Sequence, residues 1–280
     1  MLPGMEGLAA PRRKADDPPR EPSKESGAAV EAPRATSEPP LPPAHRLLEV
    51  AIRDYALGFP EERDPAVESA QFPDMVSIYR SMVNGPFPPT QSEFQDEVER
   101  RVLSRLPGLR RTAVRARAAR TYPSFVRQHH AVLALREHFP VVSWDRWLDQ
   151  LQGVDMLVVD ARGLAAGVAL STETTKARDW STVKDVRHAR PAIPIFEYYV
   201  EKHEYRSGPF WLHDPARLLA GVQEKLQENI TGTLEALEIE AGDVYRVAER
   251  RAKCSRQDFE AGVRGAVAYI KQRLLDRVSG

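Results

Sequence analysis

The sequence contains one cysteine, no long apolar run and no excess of either charge. The single cysteine, Cys254, excludes an intrachain disulfide and a zinc site built from several cysteines. No apolar run approaches the roughly 18 residues of a membrane-spanning helix, so we expect a soluble, cytoplasmic protein with no membrane partner. The 40 acidic residues balance the 40 basic ones. This balance excludes a uniformly basic nucleic-acid binder and leaves any nucleic-acid surface to local patches.

The beginning of the chain lacks aromatic side chains and is rich in proline. Ten of the 23 prolines lie in the first 44 residues, and the first aromatic residue is Tyr55. Such a segment cannot bury enough apolar surface to offset its ordering entropy, so residues 1–44 are predicted to form a disordered tail. Residues 45–90 are predicted to form a lead-in that is helical over 45–56 and then rich in turns.

Two long helices are predicted after the lead-in. Residues 92–106 place Phe94, Val98, Val102 and Leu106 on one face, and Ser92 is expected to cap this helix. The arginine-rich stretch that follows is expected to end at Pro123, with a second long helix beginning there.

Two adjacent histidines, His129 and His130, lie in that second helix. Neighbouring residues on a helix point about 100° apart. We therefore expect one histidine in the core and the other exposed, and do not expect a pair of metal ligands.

Helical periodicity gives way to short apolar runs at residues 153–177, "GVDMLVVDARGLAAGVALSTETTKA". The apolar runs "MLVV" and "GVAL" flank the turn signal "DARG", in which Gly163 can accept a positive φ angle. We expect two antiparallel strands, and a further strand in "AIPIFEYYVE". A hairpin folded at residues 161–163 is expected to bring Asp155 beside Glu173. Two carboxylates so placed are suited to a hard cation such as Mg²⁺ or Mn²⁺, which could activate a water for phosphodiester hydrolysis.

Residues 214–280 are predicted to form a helical module that follows a core over residues 91–213. Its last helix is expected to start at Ser255 with Asp258. A core stripe is predicted for Phe259, Val263, Val267 and Ile270. The module suits a helical cap, a bundle that forms a homodimer, or a helix-turn-helix.

The hairpin and the stretch after it, "STETTKARDWSTVKDVRH", resemble the PD-(D/E)XK, or restriction-endonuclease-like, nuclease superfamily. The resemblance is closest to a bacterial group in which an acid-Thr-Lys tripeptide precedes a helix ending in Lys-x-x-Arg-His, and it covers residues 121–190. It implies an α/β (α+β) fold with a central mixed sheet flanked by helices. It also implies that Asp155 is the first metal ligand and Glu173 the second.

The lysine of the superfamily motif is displaced in this sequence. Thr175 stands two residues after Glu173, where the resemblance places lysine, and Lys176 follows it. In a regular strand residue 176 points away from the face of residue 173, so Lys176 would serve if the strand ends or bulges there. Lys184 in the next helix is a second candidate for the catalytic lysine. The third alternative is a degenerate site on a fold that only binds.

Eight arginines lie between Arg100 and Arg120, and the stretch "LRRTAVRARAAR" contains no acid. Such a stripe is suited to phosphate contacts, although a solvated helix face with acidic partners explains it as well. The candidate nucleic-acid contacts are Arg111, Arg115, Arg117, Arg120, Arg187 and His188.

The sequence therefore predicts a Mg²⁺-dependent DNA endonuclease. The alternative is a catalytically inactive nuclease fold that serves as a DNA-binding or protein-interaction module. A helical interaction protein in which the strands are incidental is the third alternative.

Overall fold

The computed structural model describes residues 41–70, 72–147, 149, 153–172, 193–200, 205–228 and 255–278. Within them the chain is a mixed α/β fold, as predicted, with seven helices and two sheets. None of the seven helices is both long enough and apolar enough to cross a membrane.

Five helices precede the sheet and two follow it. The first five are α1 (Ala44–Ile52), α2 (Pro65–Ser69), α3 (Met75–Met82), α4 (Gln91–Leu103) and α5 (Arg111–Arg136). The last two are α6 (Pro215–Glu228) and α7 (Arg256–Val278). The helices α1, α4 and α6 all contact α5, so the lead-in and the first C-terminal helix share one hydrophobic core with it.

Helix α4 begins earlier than predicted. Its N-cap is Thr90 and not Ser92, because Thr90 forms a capping box with Glu93. Each of these two side chains bonds to the backbone N–H of the other residue. Three residues of the predicted core face, Phe94, Val98 and Val102, are fully buried, whereas Leu106 lies beyond the end of α4 and is half-buried.

Helix α5 runs for 26 residues and continues through Pro123, so the predicted break is wrong. Proline lacks the N–H that would bond to the carbonyl of Ala119, four residues earlier. The buried side chain of Gln91 supplies that bond, since its Nε2 donates to the Ala119 oxygen at 3.0 Å. The same amide exchanges two further hydrogen bonds with the backbone of Gly58. Gln91 therefore satisfies the carbonyl that Pro123 leaves without its helical partner.

We predict that the stabilising effect of Gln91 depends on Pro123. Replacing Gln91 with Leu leaves buried polar groups unpaired and is expected to lower the free energy of unfolding by about 2 kcal/mol. Pro123→Ala restores an N–H at position 123. In that background we expect the cost of Gln91→Leu to fall by about 1 kcal/mol, as measured by a double-mutant cycle in urea.

A matched control for this cycle is Gln95, one turn further along α4. Its Nε2 donates to the Arg115 carbonyl at 3.2 Å, and the N–H that bonds to this carbonyl within the helix is present. The cost of Gln95→Leu should therefore be the same with or without Pro123. An equal cost of Gln91→Leu in both backgrounds would contradict the explanation.

The main sheet contains four strands in the order β1–β2–β3–β4. They are β1 (Val141–Ser143), β2 (Met156–Val159), β3 (Ala165–Thr172) and β4 (Ile195–Val200). The first three form an antiparallel meander, and β4 pairs parallel to β3. The predicted β2–β3 hairpin and the further strand are confirmed, whereas β1 and a small hairpin of β5 (Arg206–Ser207) and β6 (Phe210–Trp211) were not predicted.

Helices cover both faces of the main sheet. Alternate residues of β2 point to opposite faces, and Met156 and Val158 pack in the core that α5 and α6 share. Leu157 and Val159 pack in a second cluster with α7. The predicted stripe of α7 is confirmed by full burial of Phe259, Val263, Val267 and Ile270. The predicted start is confirmed too, since Ser255 accepts from the Asp258 N–H at 3.1 Å.

Candidate functional site

Asp155 lies immediately before β2, and two elements hold its carboxylate. Its Oδ1 accepts from Gln128 Nε2 of α5 at 2.5 Å, and its Oδ2 accepts from the Leu170 N–H of β3 at 2.6 Å. Its own N–H donates to the Val168 carbonyl at 2.8 Å. The carboxylate therefore accepts the Leu170 N–H of β3 in place of a backbone carbonyl. This hydrogen bond fixes the position of the carboxylate at the end of the hairpin.

This geometry suits a cation ligand. A carboxylate offers about four lone-pair sites, so it can accept hydrogen bonds from the protein and also ligate a cation. Hydrogen bonds to the outer atoms of a ligating carboxylate are the usual way in which proteins orient metal ligands. Gln128 and the Leu170 N–H can therefore hold Asp155 in one orientation for a hard cation.

The remaining predicted members of the metal site lie outside the described residues, because β3 is described as far as Thr172. Those members are Glu173 and the two candidate lysines, Lys176 and Lys184. The predicted nucleic-acid contacts Arg187 and His188 also lie outside the described residues. Among the described residues no group of three or more His, Cys, Asp and Glu side chains could hold a metal ion. The pairing of Asp155 with Glu173 and the position of the lysine thus stay predictions.

Arg127 is a half-buried cation close to this carboxylate, one residue before Gln128. Loss of hydration lowers its pKa to about 10, and the negative charge of Asp155 partly offsets that effect. No carboxylate in the described part of the chain lies within ion-pair distance of its guanidinium. Arg127 is therefore able to take an anionic ligand beside Asp155. Neither Arg127 nor Gln128 was predicted as a site residue. The one indication in the sequence was their position in the helix that precedes the sheet.

Further polar groups are buried near this end of the sheet. His213 is 1% exposed, and neither of its ring nitrogens has a hydrogen-bond partner in the described part of the chain. The Arg127 carbonyl lies close enough to raise the pKa of His213 slightly, but not in the geometry of a hydrogen bond, and burial holds that pKa well below its usual value. The His213 ring packs 4.9 Å from that of Tyr198, which is paired with Leu170 across β3 and β4. Histidine at this position is neutral at pH 7.

The predicted arginine stripe of α5 contacts the protein itself. Arg111 pairs with Glu99 at 2.7 Å, and Arg115 pairs with Glu99 at 3.1 Å and with Asp96. Each partner lies on α4. These contacts join α5 to α4. The arginine-rich stretch contains no acidic residue of its own, and its ion-pair partners are supplied by α4.

The other two arginines of the stripe hold the turn-rich lead-in. Arg117 donates to the carbonyl of Val67 and packs 4.2 Å from the centroid of the Phe72 ring. Arg120 donates to the Glu62 carbonyl at 2.5 Å and pairs with Glu68. The nucleic-acid role of these arginines stays a prediction.

The two adjacent histidines are both buried, so the expectation of one exposed ring is wrong. His129 is 4% and His130 0% exposed. His129 faces the aromatic core, where its Nε2 lies 3.1 Å from the Gly85 carbonyl. His130 faces α1, where its Nε2 lies 2.9 Å from Glu49. Both sides of α5 are covered at this point, by α1 on one side and by the α3 region on the other.

Glu49 is the centre of a polar network that joins α1, α5 and the segment before β5. Besides His130, it accepts hydrogen bonds from Arg46 at 2.9 Å and from the Tyr205 hydroxyl at 2.8 Å. Partial burial alone would raise the pKa of this carboxyl, but the three hydrogen bonds from His130, Tyr205 and Arg46 lower it to about 2. Glu49 is therefore ionised at neutral pH.

Comparison with known proteins adds no relative from which a role could be inferred. No family model, no curated protein and no solved structure matches this chain.

Proposed function

We propose that this protein is a metal-dependent nuclease acting on DNA phosphodiester bonds, with a restriction-endonuclease-like sheet. The observation that carries the proposal is the carboxylate of Asp155, held between Gln128 and the Leu170 N–H at the end of an antiparallel hairpin. This is the position that the resemblance assigns to the first metal ligand. The order of the main sheet, a meander followed by a parallel fourth strand, is compatible with the mixed sheet that the resemblance implies.

Each residue then has a separate role. Asp155 and Glu173 would hold Mg²⁺ or Mn²⁺, which when bound polarises a phosphoryl oxygen and lowers the pKa of a water. Gln128 fixes the orientation of Asp155. Arg127 offsets the charge of the bound phosphate. Lys176 or Lys184 would assist the attacking water.

The test is cleavage of plasmid and linear DNA with Mg²⁺ or Mn²⁺. We expect Asp155→Asn to lower the cleavage rate more than about 100-fold, because it removes a metal ligand, and Gln128→Leu to lower it about 10- to 100-fold, because it removes the orienting bond. The matched control is Asp160→Asn, the same change at the other end of β2. The Asp160 side chain accepts hydrogen bonds from the backbone of the turn. Undiminished cleavage by Asp155→Asn would remove the proposed site.

A catalytically inactive nuclease fold that binds DNA or a protein is the second candidate. It is favoured by one observation, that both oxygens of Asp155 already accept hydrogen bonds from the protein. The displaced lysine also favours it, since Thr175 stands at the motif position. Titration calorimetry with Mn²⁺ separates the two. Binding that Asp155→Asn abolishes supports the nuclease, whereas DNA binding without any heat from Mn²⁺ supports the inactive fold.

A further inference from the structure

A cleft lies between α1 and the β5–β6 hairpin. It has a volume of about 600 Å³, and its lining includes Arg46, Glu49, Arg53, Tyr205 and Arg206. This volume lies within the range of about 300 to 1,000 Å³ that is common for small-molecule sites. No residue of the proposed nuclease site lines it.

The negative charge in the cleft is already neutralised. Glu49 is ionised, but Arg46 pairs with it at 2.9 Å, and His130 and Tyr205 bond to the same carboxylate. A carboxylate with three hydrogen bonds, one of them from a paired guanidinium, attracts little further positive charge. Glu49 therefore serves to hold the wall of the cleft and does not act as a cation ligand.

Two further arginines in the cleft have no such partner. Neither Arg53 nor Arg206 forms an ion pair with any carboxylate of the described residues. Among the described residues the lining thus carries three guanidinium groups and one carboxylate, which leaves two positive charges. The partial negative charge at the end of α1 is about half a unit and does not offset them.

The backbone brings these two arginines together at Gly208. Arg206 Nε donates to the Gly208 carbonyl at 2.7 Å. Gly208 packs so closely on Arg53 that a β-carbon added to it would lie 2.2 Å from the Arg53 carbonyl oxygen. The Arg206 side chain and the Arg53 backbone therefore meet at Gly208, one from β5 and one from the end of α1.

We propose that this cleft binds a phosphate monoester. A guanidinium group matches the oxygens of a phosphate with parallel hydrogen bonds, and the two arginines of the lining that have no ion pair among the described residues match a dianion. A phosphate alone would leave most of the cleft unfilled. The exposed side chain of Val50 and the Tyr205 ring offer an apolar surface for the organic part of the ligand.

The test is titration calorimetry of the full chain with a nucleoside monophosphate and with the matching nucleoside. We expect the monophosphate to bind at least about 10-fold more tightly, because one lost charged hydrogen-bond pair costs about that factor. Arg53→Glu and Arg206→Glu should each weaken binding at least 10-fold. The matched control is Arg105→Glu, which makes the same charge change at an exposed arginine outside the cleft and should leave affinity unchanged.

A competition experiment identifies the source of the phosphate. If a 5′-phosphorylated oligonucleotide displaces the monophosphate and the same oligonucleotide without the phosphate does not, the ligand is a nucleic-acid end. Binding of the mononucleotide without such competition would identify a free small molecule. Equal affinity of the Arg53→Glu/Arg206→Glu double variant, or no saturable binding of the monophosphate, overturns the proposal, and neither outcome depends on nuclease activity.

Discussion

Lowering the pH from 7.5 to 5.0 is expected to destabilise the folded chain by about 4 kcal/mol or more. Three buried histidines, His129, His130 and His213, have pKa values below the ordinary value of 6.5, in each case mainly because burial disfavours the charged ring. The pKa of His129 is lowered to about 4. Below about pH 6.5 the unfolded chain therefore binds more protons at these rings than the folded chain does. Stability is therefore full above pH 6.5 and falls as the pH decreases below it.

Urea unfolding at several pH values measures this effect. A histidine that stays neutral in the fold loses about 2 kcal/mol between pH 7.5 and 5.0. His213→Leu removes one such ring without breaking a hydrogen bond to the protein, so it should flatten the pH dependence. The matched control is His138→Gln, at an exposed histidine, which should leave the slope unchanged. A free energy of unfolding that is constant over this pH range would contradict the prediction.

Glu49 is expected to add to acid unfolding at lower pH. Its folded pKa is about 2, below its ordinary value of 4.5. Its contribution is therefore present above about pH 4.5 and is lost as the pH falls toward 2.

Replacing Gly208 with Ala is expected to lower the free energy of unfolding by about 3 to 4 kcal/mol. Gly208 has a φ angle of +54°, which costs an L-residue about 1 to 2 kcal/mol. The added β-carbon would also lie 2.2 Å from the oxygen and 2.8 Å from the carbon of the Arg53 carbonyl. These are backbone atoms, so relief requires the β5–β6 hairpin to move away from α1.

Gly85 provides the matched control for this substitution. Its φ angle is +58°, and an added β-carbon would meet no atom within 4 Å. Gly85→Ala should therefore cost the backbone strain alone, about 1 to 2 kcal/mol. Equal losses for the two variants in urea unfolding would show that the close approach to Arg53 has no energetic effect.

Patterns within one element gave correct predictions. Gly163 has a φ angle of +83° and Asp160 bonds to the turn backbone, so local chemistry closes the β2–β3 hairpin. The stripe of α7 follows from helical spacing of large apolar residues, which the sheet covers. In both cases, the residues that decide the structure are close together in the sequence.

Predictions that depended on distant partners were incomplete or wrong. The effect of Pro123 on α5 is offset by Gln91, 32 positions earlier, and no residue near Pro123 in the sequence indicates this hydrogen bond. Burial of His130 requires Glu49 of α1, which lies 81 positions away. Strand β1 has three residues, all buried, so it is too short to display alternation. The orientation of Asp155 likewise depends on Gln128, which the register of the hairpin could not indicate.

Helix α5 also acts as a partition between the two proposed sites. Gln128 contacts Asp155, and His130 contacts Glu49 in the wall of the arginine cleft. Residues two positions apart on a helix point about 200° apart, so these contacts leave α5 on opposite sides, separated by a helix about 10 Å wide. If both proposals hold, occupancy of one site is not expected to block the other. A phosphate compound beside Glu49 and a DNA strand at Asp155 would then be bound by the same molecule at the same time.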